Sequence, residues 1–207
     1  PEEGLDDDAL EATLDTSTFN SIVDITSGRD LQIFTTGGEF YVPQQGLDPI
    51  TPLNFFIRTA TRNGAKENVR VQQLETGTLF LQRQGKSLSE FAFTDTSLSY
   101  ITTKVSLLNG HLLKNPTNIA LRKSVATDEN DLLLITNADD GTMAVYSLLR
   151  SQNVIAPSEW NTDGSYLDVG VDITTIYTVV KRTINSTDCY FLEYFDDDML
   201  VEETDAS

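Results

Sequence analysis

The chain has 207 residues, of which 39 % are hydrophobic, enough for one large domain or two small ones with a buried core. Its 32 acidic and 14 basic residues give a net charge of −18, which argues against a surface that grips DNA or RNA. No apolar run reaches the roughly 18 residues that a transmembrane helix needs. The single cysteine, Cys189, rules out an internal disulfide and a cysteine-based metal site, and its apolar neighbours predict a buried strand position.

Both ends of the chain are acidic, and we expect residues 1–9 and 199–207 to be flexible. The N-terminal residues lack the basic character of a targeting segment. We therefore expect the sequence to be an internal fragment of a longer protein. The region between the two ends, 10–198, is predicted to form one domain.

Four pairs of β-rich runs, each interrupted by small polar residues, predict four β-hairpins. The hairpins span 30–42, 78–93, 131–149 and 175–195. A further candidate strand precedes each hairpin, at 19–26, 68–74, 118–125 and 165–172. The sequence thus predicts a mainly β fold of consecutive antiparallel units with three or four strands each.

The hairpins recur with a period of roughly 40 to 50 residues, which is typical of the blades of a β-propeller. We expect a partial, β-propeller-like domain because each blade buries its apolar faces against its neighbours. The blade-like units cover about 19–42, 68–93, 118–149 and 165–195.

The segment 98–115 has a different pattern. Its apolar residues Ile101, Val105, Leu108 and Leu112 follow the spacing of one helical face. We predict a short inserted helix near 101–113 that ends before Pro116.

No catalytic or cofactor motif stands out. His111 is the only histidine, and the sequence has no GxSxG, HExxH, P-loop or GxGxxG motif. Asp139 and Asp140 precede Gly141 between two apolar runs, so they suit a hairpin turn better than a calcium loop, whose further ligands are missing. A glycosidase-type pair of carboxylates stays open among so many acids. We predict no catalytic residue, no cofactor and no metal.

Five sequence blocks resemble, in conserved order, the tail nozzle or tail tubular protein B family of short-tailed bacteriophages. The blocks are T-x-G-G-E-aromatic at Thr35–Phe40 followed by T-P-x-N at Thr51–Asn54, L-F-x-Q-R-x-G at Leu79–Gly85, D-G-T at Asp140–Thr142, W…T-D-G at Trp160–Gly164, and R-T-I-N at Arg182–Asn185. Departures include Ser151 for a family glutamate, a longer approach to Trp160 at 157–159, and Ser186 for a family glycine. The resemblance covers about residues 10–198.

The resemblance implies a structural role in the phage tail, without chemistry of its own. The partners it implies are other tail proteins (the adaptor, fibres or neighbouring subunits), with assembly into a homo-oligomeric ring, DNA only as passing cargo and no membrane anchor. The location it implies is the virion, after synthesis in the host cytoplasm. The family positions are interpreted as structural turn and loop residues: Gly37, Gly38, Glu39, Pro52, Asn54, Arg83, Gly85, Asp140, Gly141, Trp160, Asp163, Gly164 and Arg182.

Two other functions remain as alternatives. The first is a carbohydrate- or receptor-binding β-domain on a phage particle, whose candidate residues are Tyr41, Phe55, Phe56, Tyr100 and Trp160. The second is a hydrolase of polysaccharide or cell wall, for which no carboxylate pair stands out. Within the leading hypothesis, we expect some acidic side chains to face a channel and repel DNA phosphates.

Overall fold

A computed structural model describes residues 9–11, 13, 20–44, 50–52, 54–125, 129–149, 152 and 154–196. These residues confirm the mainly β prediction, with fifteen strands in four antiparallel sheets and one three-residue 3-10 turn. The predicted flexible ends lie outside the described residues, except for Ala9. No helix in the described part of the chain could cross a bilayer.

The chain divides into two compact units, 1–113 and 114–207, where the sequence predicted one domain over 10–198. We call them the N-terminal unit and the C-terminal unit. Each holds two sheets, and in every sheet the spatial order of the strands follows the sequence. Such meanders need only short turns between neighbouring strands, which the small polar residues of the sequence supply.

The N-terminal unit contains two four-stranded sheets. The first consists of β1 (Ile22–Ser27), β2 (Leu31–Thr35), β3 (Glu39–Val42) and β4 (Arg58–Thr61). The second consists of β5 (Gln72–Gln73), β6 (Thr78–Leu81), β7 (Leu88–Thr94) and β8 (Ser99–Lys104). The predicted hairpins around residues 36–38 and 82–87 are therefore present.

The core of the N-terminal unit is aromatic. Alternate residues of the two sheets, Phe34, Tyr41, Phe80, Phe91 and Tyr100, form one buried cluster. The rings of Phe91 and Tyr100 stack at 4.6 Å between centroids and 8° between planes. Large buried rings stabilise by about 2–3 kcal/mol each through their apolar area, so this cluster is the main contact between the two sheets.

The predicted helix near 101–113 is wrong over its first half. Residues 99–104 form strand β8, and the only helical residues are a single 3-10 turn, Gly110–Leu112. In β8 the buried residue is Tyr100, which lies opposite Phe93, whereas Ile101 is exposed. The β-branched run Ile101–Thr103 favours a strand, and pairing with β7 prevails over the helical spacing of the apolar residues.

The C-terminal unit contains a four-stranded and a three-stranded sheet. The first consists of β9 (Pro116–Arg122), β10 (Asp131–Asn137), β11 (Met143–Leu149) and β12 (Val154–Trp160). The second consists of β13 (Ser165–Asp172), β14 (Thr175–Ile184) and β15 (Thr187–Tyr194). The predicted hairpins that turn at 138–142 and 185–186 are both present.

The two sheets of the C-terminal unit pack through one face each. Leu134 and Val145 lie opposite each other on β10 and β11, and they contact a cluster that includes Val169, Ile176 and Val180 of the three-stranded sheet. Both strands contain continuous apolar runs that are buried on both faces. Because successive side chains point to opposite faces of the sheet, alternate residues such as Leu134 and Val145 face the three-stranded sheet. The turns at the ends of these strands form the site described next.

Candidate functional site

The structure gathers most of the predicted turn and loop residues into two groups. The first turn cluster lies in the N-terminal unit and consists of Gly37, Gly38, Glu39, Arg83 and Gly85. The second turn cluster lies in the C-terminal unit and consists of Asp140, Gly141, Asp163, Gly164 and Arg182. Pro52 and Asn54 occupy a separate loop, and Trp160 lies at the end of β12.

The first turn cluster is built around the β2–β3 turn. The side-chain oxygen of Thr35 accepts hydrogen bonds from the amides of Gly37 and Gly38, at 3.2 and 3.1 Å, and its hydroxyl donates to the Gly38 carbonyl at 2.8 Å. A Cβ on Gly38 would lie 2.8 Å from the Thr61 carbonyl oxygen. A glycine is therefore needed where the backbone of the next loop approaches this turn.

The loop before Ala65 connects this turn to the β6–β7 hairpin. The Ala65 amide donates to the Thr35 carbonyl at 2.8 Å, and the Arg83 amide donates to the Gly64 carbonyl at 2.9 Å. The Arg83 guanidinium lies 3.5 Å from the carbonyl oxygen of Thr36. Gly85 has a φ of 67° in the hairpin turn and donates to the Gln82 carbonyl. The Gly64–Ala65 pair thus forms the junction between the two turns.

Glu39 is the buried acid of the first turn cluster. Its Oε2 accepts hydrogen bonds from the Thr61 hydroxyl at 2.5 Å and from the Asn63 amide at 3.2 Å. Burial raises the pKa of Glu39, and these hydrogen bonds offset the rise only in part. Raised carboxyl pKa values also occur in catalytic acids. Glu39 is 0 % exposed, however, so it fastens a loop and cannot reach a substrate.

The conformation of the loop at Pro52 and Asn54 is fixed by local hydrogen bonds. The Asn54 side chain accepts a hydrogen bond from the Thr51 amide at 2.7 Å, and the Asn54 amide donates to the Thr51 carbonyl at 3.1 Å. This reciprocal turn suits an asparagine, whose side chain mimics a backbone carbonyl. It leads into Phe55, which packs with Ile50 against a small cluster on β2 and β3.

In the second turn cluster, Asp140 closes the β10–β11 hairpin. Its carboxylate accepts hydrogen bonds from the amide and the hydroxyl of Thr142, at 3.1 and 2.8 Å. The ammonium of Lys114 lies 2.6 Å from both Asp140 and Glu159. Desolvation opposes ionisation, but the hydrogen bonds from Lys114 and Thr142 prevail and lower the pKa of Asp140. Turn chemistry therefore explains Asp140, whereas Asp139 takes part through its backbone amide, which donates to the Lys114 carbonyl at 3.3 Å.

Two glycines join this hairpin to the three-stranded sheet. The Tyr166 amide donates to the Gly141 carbonyl at 2.8 Å, and a Cβ on Gly141 would lie 2.4 Å from the side chain of Ser165. Gly164 has a φ of 142°, and a Cβ there would lie 2.2 Å from the Lys181 carbonyl oxygen. The D-G-T and T-D-G blocks, far apart in the sequence, thus form one backbone junction.

Arg182 completes the second turn cluster. Its guanidinium makes two hydrogen bonds to the Glu193 carboxylate, at 3.0 and 2.9 Å, and a third to the Asp163 carbonyl at 2.6 Å. This forked geometry suits arginine and not lysine. Trp160 packs nearby on Phe195, with 5.1 Å between ring centroids. The sequence analysis did not single out Lys114 or Glu193. Lys114 meets Asp140 and Glu159 across 26 and 45 residues, and Glu193 meets Arg182 across the β14–β15 hairpin.

A polar cleft of about 440 Å³ opens beside this cluster. It is lined by Thr117, Asn137–Gly141, Ser165–Leu167 and Lys181. Within the described ranges, no three His, Cys, Asp or Glu side chains lie close enough together to hold a metal ion. The carboxylate of Asp140 is engaged by Lys114 and Thr142, and the other polar residues that line the cleft offer further hydrogen-bonding groups.

Of the five aromatic residues proposed for carbohydrate binding, two are buried and none is fully exposed. Tyr41 and Tyr100 are buried, and Phe55, Phe56 and Trp160 are partly buried. Among the described residues, the exposed aromatic side chains belong to β14 and β15, which the sequence analysis did not single out. Cys189 lies in β15 as predicted, but it is only partly buried. His111 is exposed in the 3-10 turn.

The chain matches no protein-family model, and no curated protein matches it significantly.

Proposed function

We propose that the chain is a structural module of a bacteriophage tail of the nozzle type, acting as an assembly scaffold and contact surface without catalysis. The most direct support comes from the structural role of the residues in the sequence blocks that resemble the family. In both turn clusters they connect backbone segments, as Gly141 and Gly164 do. Motif residues that hold backbone segments together suit a scaffold, whereas the motif residues of an enzyme surround a substrate.

We also propose that the four sheets are blades of a partial β-propeller. Consecutive antiparallel meanders of three or four strands, packed in pairs through apolar faces, are the building pattern of propeller blades. The assembled form would be a homo-oligomeric ring that contacts the adaptor, fibres or neighbouring subunits. The net charge of −18 suits a wall past which DNA must slide without binding.

Negative-stain electron microscopy tests this proposal. The full protein that carries this sequence would be mixed with the tail and adaptor proteins encoded beside it. We expect six-fold rings that dock on the adaptor. A high-resolution cryo-electron-microscopy map of those rings should then show acidic side chains on the channel wall. Monomers that do not bind those proteins would refute the assembly role. A neutral or basic channel would refute the proposal that the negative charge keeps DNA from binding the wall.

A further inference from the structure

Among the described residues, the three-stranded sheet of the C-terminal unit ends in an unpaired edge at β15. The other three sheets have four strands each, whereas this sheet has the order β13–β14–β15. Within the part of the chain that the structure describes, no strand pairs with the outer side of β15. An unpaired edge presents backbone donors and acceptors in a row and is a template for another strand.

The backbone phase of β15 shows which residues present those groups. The Phe195 amide donates to the Ile176 carbonyl at 3.0 Å. In the antiparallel register, Phe191 therefore also bonds to β14, because hydrogen-bonded pairs alternate with pairs that are not. The amides and carbonyls of Tyr190, Leu192 and Tyr194 consequently point away from β14, toward the free edge.

The same three residues carry the most exposed apolar side chains of the strands in this sheet. Tyr190, Leu192 and Tyr194 are 64 %, 74 % and 63 % exposed. Tyr177 of β14 extends the patch, with its ring centroid 6.4 Å from that of Tyr194. We call this group of four residues the β15 strip. A contiguous apolar strip beside an open sheet edge has the two properties of a strand-addition site, which are backbone hydrogen bonds for affinity and side-chain contacts for selectivity.

The charge around the strip favours one kind of occupant. After Arg182 the sequence has no basic residue, and it has these acids: Asp188, Glu193, Asp196, Asp197, Asp198, Glu202, Glu203 and Asp205. Lys181 and Arg182 already pair with Asp188 and Glu193. The chain as a whole has a net charge of −18, so basic groups on an added strand would be attracted to it.

We propose that β15 binds an extended segment of a partner protein, with alternating apolar residues and with Lys or Arg at its ends. A second copy of this chain fits less well. Antiparallel self-pairing centred on Leu192 would place Asp188 of one copy opposite Asp196 of the other, in molecules that each carry a charge of −18. This inference rests on the β15 edge alone and is independent of the proposed role in a phage tail.

Binding of a labelled peptide to the 207-residue chain tests the inference. The probe is Lys-Thr-Val-Thr-Val-Thr-Val-Thr-Lys with blocked ends, and the matched peptide has Glu in place of both Lys. We expect the Lys peptide to bind about tenfold more tightly than the Glu peptide at low salt, with the difference shrinking as salt is added. Fluorescence anisotropy gives both affinities.

Two variants distinguish backbone pairing at the β15 edge from non-specific hydrophobic binding of the peptide. Leu192→Pro removes an amide that faces the free edge and keeps the bonds to β14, so we expect the fold to persist and peptide affinity to fall about tenfold or more. Leu192→Lys leaves the backbone intact and should also weaken the Lys peptide through charge repulsion. Leu167→Lys is the matched control, because Leu167 is an exposed leucine of β13, and it should bind like the wild type.

Four results would overturn the inference. They are equal binding by the wild type and Leu192→Pro, no binding of the Lys peptide at millimolar concentration, dimers that Leu192→Pro abolishes, and glycan binding that Tyr190→Ala abolishes. The third would assign the strip to a second copy, and the fourth would assign it to a sugar. Near-ultraviolet circular dichroism of each variant confirms that the fold is retained.

Discussion

Tyr100 and Asp30 lie 70 positions apart and meet inside the N-terminal unit, where the Tyr100 hydroxyl donates a 2.9 Å hydrogen bond to the Asp30 carboxylate. The other oxygen of Asp30 accepts from the Gln44 amide at 2.8 Å. Tyr100 belongs to β8 and Asp30 to the β1–β2 turn, so the bond ties the two sheets of this unit together. Burial, with Asp30 adding to it, raises the pKa of Tyr100, so the donor stays protonated.

Tyr100→Phe should destabilise the N-terminal unit by about 1–3 kcal/mol, because it leaves a buried carboxylate oxygen without its donor. Urea denaturation, followed by intrinsic fluorescence, measures the free energy of unfolding. Tyr190→Phe is the control, since Tyr190 is exposed and should change stability by less than about 0.5 kcal/mol. Equal effects of the two substitutions would contradict the role given to the Tyr100–Asp30 bond.

Gly141→Ala should destabilise the C-terminal unit by roughly 1–3 kcal/mol or more, since it combines a positive φ with a steric clash. The φ of Gly141 is 70°, and the new Cβ would lie 2.4 Å from Ser165. Gly170→Ala is the matched control, because nothing lies within 4 Å of a Cβ there. Thermal melting should show a large loss for the first variant and no loss for the second. A harmless Gly141→Ala would mean that the junction tolerates a side chain.

Glu39 should make stability depend on pH in the direction opposite to an ordinary surface acid. Its pKa in the folded state is raised, so its stabilising contribution is complete below the unfolded pKa, near 4.5, and is lost as pH rises through the folded value. Relative to Glu39→Gln, the wild type should therefore gain stability as the pH is lowered from 7 to 5. Denaturant melts at both pH values give the difference, and a gain with rising pH would refute the assignment.

Asp140 should show the reverse dependence. Hydrogen bonds from Lys114 and Thr142 overcome desolvation and hold its folded pKa below 3.8, so its contribution is present above the unfolded pKa and is lost as pH falls through the folded value. Relative to Asp140→Asn, the wild type should lose stability between pH 5 and pH 3. Asp139→Asn is the control: it keeps Asp140, so it should lose stability over this pH range as the wild type does. If the wild type lost no stability relative to Asp140→Asn, the turn would not depend on the charge of Asp140.

Much of the β architecture could be predicted from local sequence, because hairpins depend on neighbouring residues. The turn glycines Gly85 and Gly141, between apolar runs, located two of the four hairpins. The outer strands β4 and β12 were missed: β4 is short and polar, and β12 contains Pro157, which a sheet tolerates at its edge. β4 and β12 form because they pair with a neighbouring strand, and their own residues do not show a recognisable strand pattern.

The contents of the two turn clusters were harder to predict. The sequence indicated the positions of Gly164 and Arg182 but not their contacts. Gly164 lies against the Lys181 carbonyl, and the Arg182 guanidinium bonds the Glu193 carboxylate. Such contacts depend on the register between neighbouring strands of the sheet, which no local pattern records. The exposed strip on β15 was also missed, because alternating aromatic residues look the same in sequence whether their face is covered or open.

The strictly sequential order of strands in every sheet has a consequence for synthesis. Each strand finds its hydrogen-bonding partner in the segment made immediately before it, so a sheet can close as soon as its own residues have left the ribosome. Contacts of short sequence separation form quickly, and domains assemble from the N-terminus as the chain emerges. The first sheet, with its glycine turn at residues 36–38, can therefore serve as the surface on which the β5–β8 sheet is laid down while translation continues.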